Sequence, residues 1–351
     1  MSTTANNLNI LENPEASAKE AGLKYSLEIT NGIKRIRAGK GFNYVDSEGK
    51  KVSDENTLKR INSLVIPPAW ENVFISISPK SHLQAVGTDA KGRKQYKYHP
   101  DWILTRNETK FGRLYEFGRS LPAIRKQNKK HLKLKGMPKE KALAIIVSIL
   151  DKAFIRVGNA EYEKTNGTYG LTTLRDKHAH FGKDSVEFIF KAKSGKESII
   201  SLEDKLLSKL VKQCKEIPGY HLFQYYDEKG DHIEVHSHDV NDYLKEITGK
   251  NFTAKDFRTW GGTIEAYNYL KKCAGNRETN NIKKEIVECV KEVAAKLNNT
   301  VAICRKYYIH PAILESFETG EMFKIDGEVR KGTRELRKEE REVITLLRKA
   351  K

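Results

Sequence analysis

The chain has 351 residues, 38% hydrophobic and 31% charged, which is enough apolar material for a sizeable core and enough length for two domains; a disordered or fibrous protein is excluded. Lys and Arg number 64 against 46 Asp and Glu, and this net charge of +18 points to a polyanionic partner, either nucleic acid or an anionic membrane surface. The longest apolar run, Ala142 to Leu150, is far shorter than the ~20 residues of a spanning helix.

Taken in chain order, Met1 to Ala18 is polar and lacks the basic start and apolar stretch of a secretory signal, so residues 1–20 are expected to form a flexible tail. Residues 21–106 carry short β-branched and aromatic runs, such as Phe42 to Val45 and Asn72 to Ile77, punctuated by Gly, Pro and Asp-Ser; this predicts a small β-rich N-terminal domain. From about residue 107 the spacing becomes helical. Helices are expected within Phe111 to Leu134, Lys139 to Arg156, Asp204 to Cys214, His238 to Ile247, Ala254 to Lys272 and Lys283 to Leu297, giving a larger, mainly helical domain over 107–320. Inside it, Tyr169 to Leu174 reads as β-prone, and Val186 to Ile200 as a hairpin turning at Lys193-Ser194-Gly195-Lys196. The fold class is therefore α+β. Residues 321–351 form a charged helix or tail, and the ten basic and six acidic residues from Lys324 to Lys351 suggest that it is solvated.

Charge is concentrated between Lys110 and Lys139, with ten Lys or Arg against one acid, Glu116; this is either a solvated helix face or a surface that tracks phosphates. Cys214, Cys273, Cys289 and Cys304 make no CxxC pair, which argues against a zinc ribbon and a disulfide framework and favours a reducing, cytoplasmic setting. Six histidines between His178 and His238 lack metal-ligand spacing and read as ordinary surface or core residues. Gly112 to Ser120 has the wrong glycine spacing, and Arg where a phosphate loop needs Lys, so neither a nucleotide cofactor nor a metal is expected.

Three segments place a cation beside residues suited to close packing. They are Phe154-Ile155-Arg156-Val157-Gly158, followed by Thr168 to Leu174; Lys255-Asp256-Phe257-Arg258-Thr259-Trp260-Gly261-Gly262; and Cys304-Arg305-Lys306-Tyr307-Tyr308-Ile309-His310-Pro311. Arg156 at the end of an apolar helix is either a snorkelling surface residue or a buried anion ligand. In this order the segments resemble the catalytic core of the type IB topoisomerases, in the bacterial and poxvirus-like branch. Ile66-Pro67-Pro68-Ala69-Trp70 and Asp89 to His99 resemble that branch's N-terminal signature, and the resemblance runs from Arg35 to Phe317.

The resemblance implies a catalytic domain of the topoisomerase IB and tyrosine recombinase type, which closes with the N-terminal domain as a monomeric clamp on duplex DNA. Arg156 and Arg258 match the arginines that hold the scissile phosphate, and Tyr308 matches the nucleophile, with Tyr307 its only local competitor. Lys193 matches the general acid for the departing 5′-oxygen, with Lys196 as runner-up. Asn299 stands where poxvirus enzymes carry a histidine that donates to the phosphate, so an uncharged amide is expected in that role. Arg93, Gln95, Tyr96, Tyr98, Tyr162 and Lys255 are the expected DNA contacts, although Lys255 fits a solvated helix position equally well. Asn159 and Glu161 replace lysines of the poxvirus base-reading helix, so that branch's strict site preference is not carried over.

The activity implied is relaxation of supercoils by reversible transesterification through a 3′-phosphotyrosyl intermediate, with neither ATP nor metal. A tyrosine recombinase shares the catalytic set but not the β-rich signature. A non-catalytic DNA-binding protein would have no need of all four key residue types.

Overall fold

The structure is a computed structural model and describes residues 14–273, 279–325 and 334–350. The chain divides into two compact units, residues 1–113 and residues 114–351. A small sheet domain thus precedes a larger, mainly helical one, in agreement with the α+β expectation. The division falls at Arg113/Leu114, not near residue 107, because the helix after the sheet, Pro100–Gly112, belongs to the first unit.

The first unit opens with helix α1 (Pro14–Glu20), where a flexible tail was expected to reach residue 20. Ala18 of α1 is fully buried with Leu23 and Trp102, so the part of that tail from residue 14 onward is packed; the rest lies outside the described residues. Strands β1 (Ile33–Ala38), β2 (Gly41–Val45), β3 (Glu71–Ile75), β4 (Leu83–Thr88) and β5 (Lys94–Tyr98) form an antiparallel sheet in the order β2-β1-β3-β4-β5. Helix α2 (Glu55–Ser63) is capped by Asp54 and buries Ile61 with Ile33, Val73, Ile75 and Ala85 of the sheet. Arg35 shows why Ile66 to Trp70 holds its shape: its buried guanidinium donates to the carbonyls of Ile66, Pro67 and Trp70. Helix α3 (Pro100–Gly112) closes the unit.

The second unit is built on helices α4 (Leu114–His131) and α5 (Lys139–Ala153). Phe111 to Leu134 is therefore not one helix, since the chain breaks between Gly112 and Leu114. The apolar run from Ala142 to Leu150 is almost entirely buried in α5. Among the described residues no helix is long and apolar enough to cross a membrane. A short helix α6 (Ala160–Asn166) and 3-10 turns at Leu171–Thr173 and Asp176–His178 follow. Tyr169 to Leu174 is thus not strand, because its backbone is used in bonds to Arg156 and Val157. Strands β6 (Ala179–Phe181), β7 (Ser185–Lys191) and β8 (Glu197–Glu203) form the expected hairpin with one added strand.

After α7 (Lys205–Lys215) and the ribbon β9 (Gln224–Tyr226) and β10 (His232–Glu234) come α8 (Ser237–Thr248), α9 (Ala254–Lys272), α10 (Thr279–Lys296), α11 (Val301–Tyr307) and α12 (Pro311–Thr319). Helix α9 is the central element: Phe257, Trp260, Ile264 and Tyr267 are buried, and Phe117 meets Phe257 edge-on at 5.0 Å. A Cβ at Gly118 would lie 2.4 Å from the Trp260 ring, so the indole and α4 need a glycine to come this close.

The last helix, α13 (Lys338–Lys349), is not the solvated helix its charge suggests, since Val343, Leu346 and Leu347 are buried. Its charges pair inside the protein. Arg125 of α4 donates to both oxygens of Glu340, at 2.7 Å each, and to both oxygens of Asp151 on α5, at 2.7 and 2.9 Å. Desolvation alone would raise the Glu340 carboxyl, but hydrogen bonds from Arg125 and Arg337 overcome it and hold the group at about 2.

Candidate active site

The site is assembled where three helices end. Helix α5 stops because Phe154 takes the left-handed conformation (φ 50°), which turns the chain and presents the Phe154 carbonyl and then Arg156. Helix α10 stops in the same way at Asn298 (φ 47°): Asn299 N donates to Ala294 O and Asn298 N to Ala295 O, a Schellman closure. This leaves the carbonyls of Leu297 and Asn298 facing away from their own helix. Helix α11 gives way at Tyr308, whose N donates to Cys304 O at 2.9 Å.

Both candidate arginines grip these ends. Arg258, on buried α9 and only 5% exposed, donates to Leu297 O at 2.7 Å and to Phe154 O, while its buried Nε has no described partner. Arg156 donates to Asn298 O at 3.2 Å and to Asn299 Oδ1 at 2.8 Å. Arg156 is thus a partly buried member of a cluster, not a snorkelling surface cation. Burial pushes both guanidiniums below their ordinary value; for Arg258 the nearby Arg156 adds to this, and Tyr308 opposes it in both. Arginine stays charged regardless, so the site holds two cations side by side with no carboxylate paired to either among the described residues, an arrangement suited to gripping an anion.

Tyr308 stands against this pair, with its ring centroid 5.3 Å from the Arg258 guanidinium carbon. The Gly261-Gly262 pair makes that approach feasible. A Cβ at Gly262 would lie 2.6 Å from Tyr308 O, and one at Gly261 would lie 2.3 Å from the Phe154 ring. Thr263, the next residue, accepts from His310 N at 3.1 Å, which fixes the chain just past the tyrosine. Asn299 completes the cluster: with Oδ1 on Arg156, its buried Nδ2 has no described acceptor. A buried amide donor thus stands beside two guanidiniums, a donor set whose chemistry suits an anionic oxygen.

Arg156, Arg258, Asn299 and Tyr308 are therefore together, and Lys193 is adjacent but apart. It is exposed at the start of the 3-10 turn Lys193–Gly195, one residue after Ala192, which lines a cavity with Phe154, Arg156, Tyr169 and Arg258. The glycine serves this turn directly, because Gly195 has φ +76°. Lys255 is exposed in the first turn of α9, and Tyr162 is exposed on α6.

In the first unit, Arg93 and Gln95 are both held by Asp89, through Arg93 Nε at 2.8 Å and Gln95 Nε2 at 2.9 Å. The Arg93 bond is the main reason the Asp89 carboxyl sits at about 2. Tyr96 and Tyr98 lie on the same exposed face of β5 with rings stacked at 6.0 Å. The basic stretch from Lys110 to Lys139 is partly committed to internal pairs, since Arg125, Lys129 and Lys139 meet Glu340, Glu335 and Asp239.

Sequence reasoning misses Phe154, Leu297 and Asn298, because they act through backbone oxygens. It also misses Glu163, Arg175 and His221; the Glu163 carboxylate pairs with Arg175 and hydrogen-bonds His221 under α6. The Asn298-Asn299 pair at the end of a helical pattern is a signal that could have located the turn.

Comparison with known proteins shows the family to which the chain is related. A family model described as the catalytic core of eukaryotic DNA topoisomerase I matches residues 91–336, and one for the N-terminal domain of bacterial DNA topoisomerase IB matches residues 41–89. DNA topoisomerase 1B of Acanthamoeba polyphaga mimivirus is 33% identical over 307 residues, covering 85% of this chain and 91% of that protein. DNA topoisomerase 1B of vaccinia virus (strain Copenhagen) is 26% identical over 259 residues, covering 72% of this chain and 76% of that protein. Among solved structures, the XerH site-specific recombinase bound to palindromic difH substrate aligns over 58% of this chain and 51% of its own at 13% identity, with a TM-score of 0.36, too slight a likeness to argue from.

Proposed function

The chain belongs to the type IB DNA topoisomerases, and from that premise we propose that it relaxes duplex DNA with Tyr308 as nucleophile and Arg156, Arg258, Asn299 and Lys193 as its supporting groups. The observation that carries this reading is the cluster itself: two partly or fully buried arginines, an amide donor without an acceptor, and a tyrosine ring over one guanidinium.

A scissile phosphate entering here takes its non-bridging oxygens to Arg156, Arg258 and Asn299 Nδ2. These donors stabilise charge that grows on those oxygens as the Tyr308 oxygen bonds to phosphorus. The phenol gives up its proton to solvent water, the bond to the 5′-oxygen breaks, and that oxygen leaves with a proton from Lys193, which water then reprotonates. The product is a 3′-phosphotyrosyl bond and a free 5′-hydroxyl. Rotation of the free end removes supercoils, and attack of the hydroxyl on the phosphotyrosine reverses each step. One phosphodiester is exchanged for another, so no ATP is consumed, and the cationic donor set supplies what a metal would otherwise provide.

The same reading gives Tyr162, Lys255, Arg93, Gln95, Tyr96 and Tyr98 contacts to DNA, with Asp89 holding Arg93 and Gln95 ready. A single chain suffices, because every proposed catalytic group comes from one chain. A DNA substrate directs the protein to the cytoplasm or nucleoid. The basic surface makes affinity fall steeply with salt.

The test is incubation with supercoiled plasmid in EDTA without ATP, beside a Tyr308→Phe variant. Relaxation and a covalent adduct from the parent chain alone are expected. No relaxation by the parent chain, or an adduct from the variant, would overturn the assignment.

A further inference from the structure

Helix α6 is attached to the protein by a charge, not by an apolar face. It has seven residues, too few for stability in isolation, and its one buried side chain is Glu163, 8% exposed, next to Tyr162 at 58%. Its two flanks are pinned together. Leu171 N donates to Arg156 O at 2.8 Å and Thr172 N to Val157 O at 2.6 Å, while Gly158 and Gly170 touch backbone to backbone; a Cβ on Gly170 would lie 2.5 Å from Gly158 N. Residues 159–169 thus leave from, and return to, the segment that carries Arg156.

The Glu163 carboxylate is gripped on both oxygens. Oε1 accepts from Arg175 Nη2 at 2.9 Å and Nε at 3.3 Å, and Oε2 lies 2.8 Å from His221 Nε2. His221 Nδ1 is in turn 3.0 Å from Glu234 Oε1, and the Arg175 guanidinium lies 3.9 Å from the centre of the Tyr220 ring. Two-point contact of this kind fixes rotation as well as distance. A carboxylate removed from water in this way is costly unless it is paired, and the same pairing on an exposed helix face would contribute little.

We propose that Glu163 is a positioning residue for DNA recognition: clamped by Arg175 and His221, it sets the orientation of α6 and so where Tyr162 meets the duplex. This rests on the reading of α6 as a DNA-contacting element. Glu163 touches no reacting atom. It acts through the helix, and its loss misplaces the DNA relative to Arg156 and Tyr308.

The experiment maps cut positions on a long labelled duplex and measures single-turnover cleavage at saturating protein, with adduct amplitude, DNA affinity and melting temperature in parallel. For Glu163→Ala the expected result is an altered distribution of cut positions and a saturated rate about 10- to 100-fold lower at the parent chain's preferred positions. Affinity and adduct amplitude stay close to those of the parent chain, which simple unfolding would not allow. Glu163→Gln, which keeps the shape and one acceptor, recovers part of the rate, and it serves as the test variant should Glu163→Ala fail to fold. Tyr162→Ala combined with Glu163→Ala is no slower than Glu163→Ala alone, since both act through one helix. A parent-like cut pattern and rate in both Glu163 variants, or multiplying losses in the double variant, would overturn the proposal. Absence of any adduct from the parent chain would instead remove the functional reading on which it rests.

Discussion

Arg156 donates to Asn299 Oδ1 at 2.8 Å and thereby turns the buried amide Nδ2 of Asn299 toward a position with no described acceptor. The pair makes the amide orientation a consequence of the arginine. Asn299→Asp is therefore expected to be worse than Asn299→Ala: the carboxylate would neutralise Arg156 and repel the phosphate. Loss of one such donor typically costs about 10²–10³ in rate. Single-turnover adduct formation should fall by about that factor for Asn299→Ala and further for Asn299→Asp; equal rates for the two would contradict the arrangement.

Gly262 tests the approach of the tyrosine segment to α9. Alanine is the better helix former by ~1 kcal/mol, so Gly262→Ala would help an unconstrained helix. Here its Cβ would meet Tyr308 O at 2.6 Å and Leu297 Cδ1 at 3.0 Å, so something must shift. We expect adduct formation to slow about 10- to 100-fold, because a displacement near 1 Å at a reacting group has that effect. Retention of the parent rate by Gly262→Ala would mean that the Tyr308 backbone is not held as described.

Lys193 is placed by its turn and not by any grip on the arginines, so its role must be read from chemistry. If it protonates the 5′-oxygen, Lys193→Ala should be strongly impaired on ordinary DNA and largely restored on a substrate whose leaving atom is sulfur, which needs little protonation. Equal impairment on both substrates would exclude the role, and the same comparison on Lys196→Ala decides between the two lysines.

Arg125→Leu probes the charges under α13. At neutral pH it leaves Asp151 and the fully buried Glu340 short of their shared partner, which should cost ~3–5 kcal/mol, toward the lower end because Arg337 remains on Glu340 at 2.8 Å. Glu340 titrates at about 2 in the folded chain, against an ordinary 4.5, so its contribution is complete above pH 4.5 and is lost as pH falls toward about 2. The gap between parent and variant in urea unfolding should therefore narrow from pH 7 to pH 3. A constant gap would mean that Glu340 does not depend on Arg125.

The order of the two units and most helices were legible from periodicity, because burial of one face imposes it. The proposed catalytic residues were legible only as a set. An arginine ending a helix, a Lys-Ser-Gly-Lys turn and a tyrosine among basic residues each fit an ordinary surface, and their joint order carried the reading. What holds them was not legible, since Phe154, Leu297 and Asn298 contribute carbonyls that any residue possesses. The charged C-terminus misleads for a related reason: composition reports the charges of α13 but not that Glu340 finds Arg125 from a distant part of the chain.

The neck at Gly158 and Gly170 has a consequence beyond packing. Because the excursion over residues 159–169 is closed by backbone hydrogen bonds and by two residues without side chains, its contents can change in length and identity while Arg156 keeps its place. The neck fixes where the excursion leaves and returns, while the Glu163 bonds to Arg175 and His221 fix how it lies between those two points. A foreign excursion grafted at the same two glycines is therefore expected to leave Arg156 in place, and to seat DNA properly only if it brings a carboxylate for Arg175 and His221.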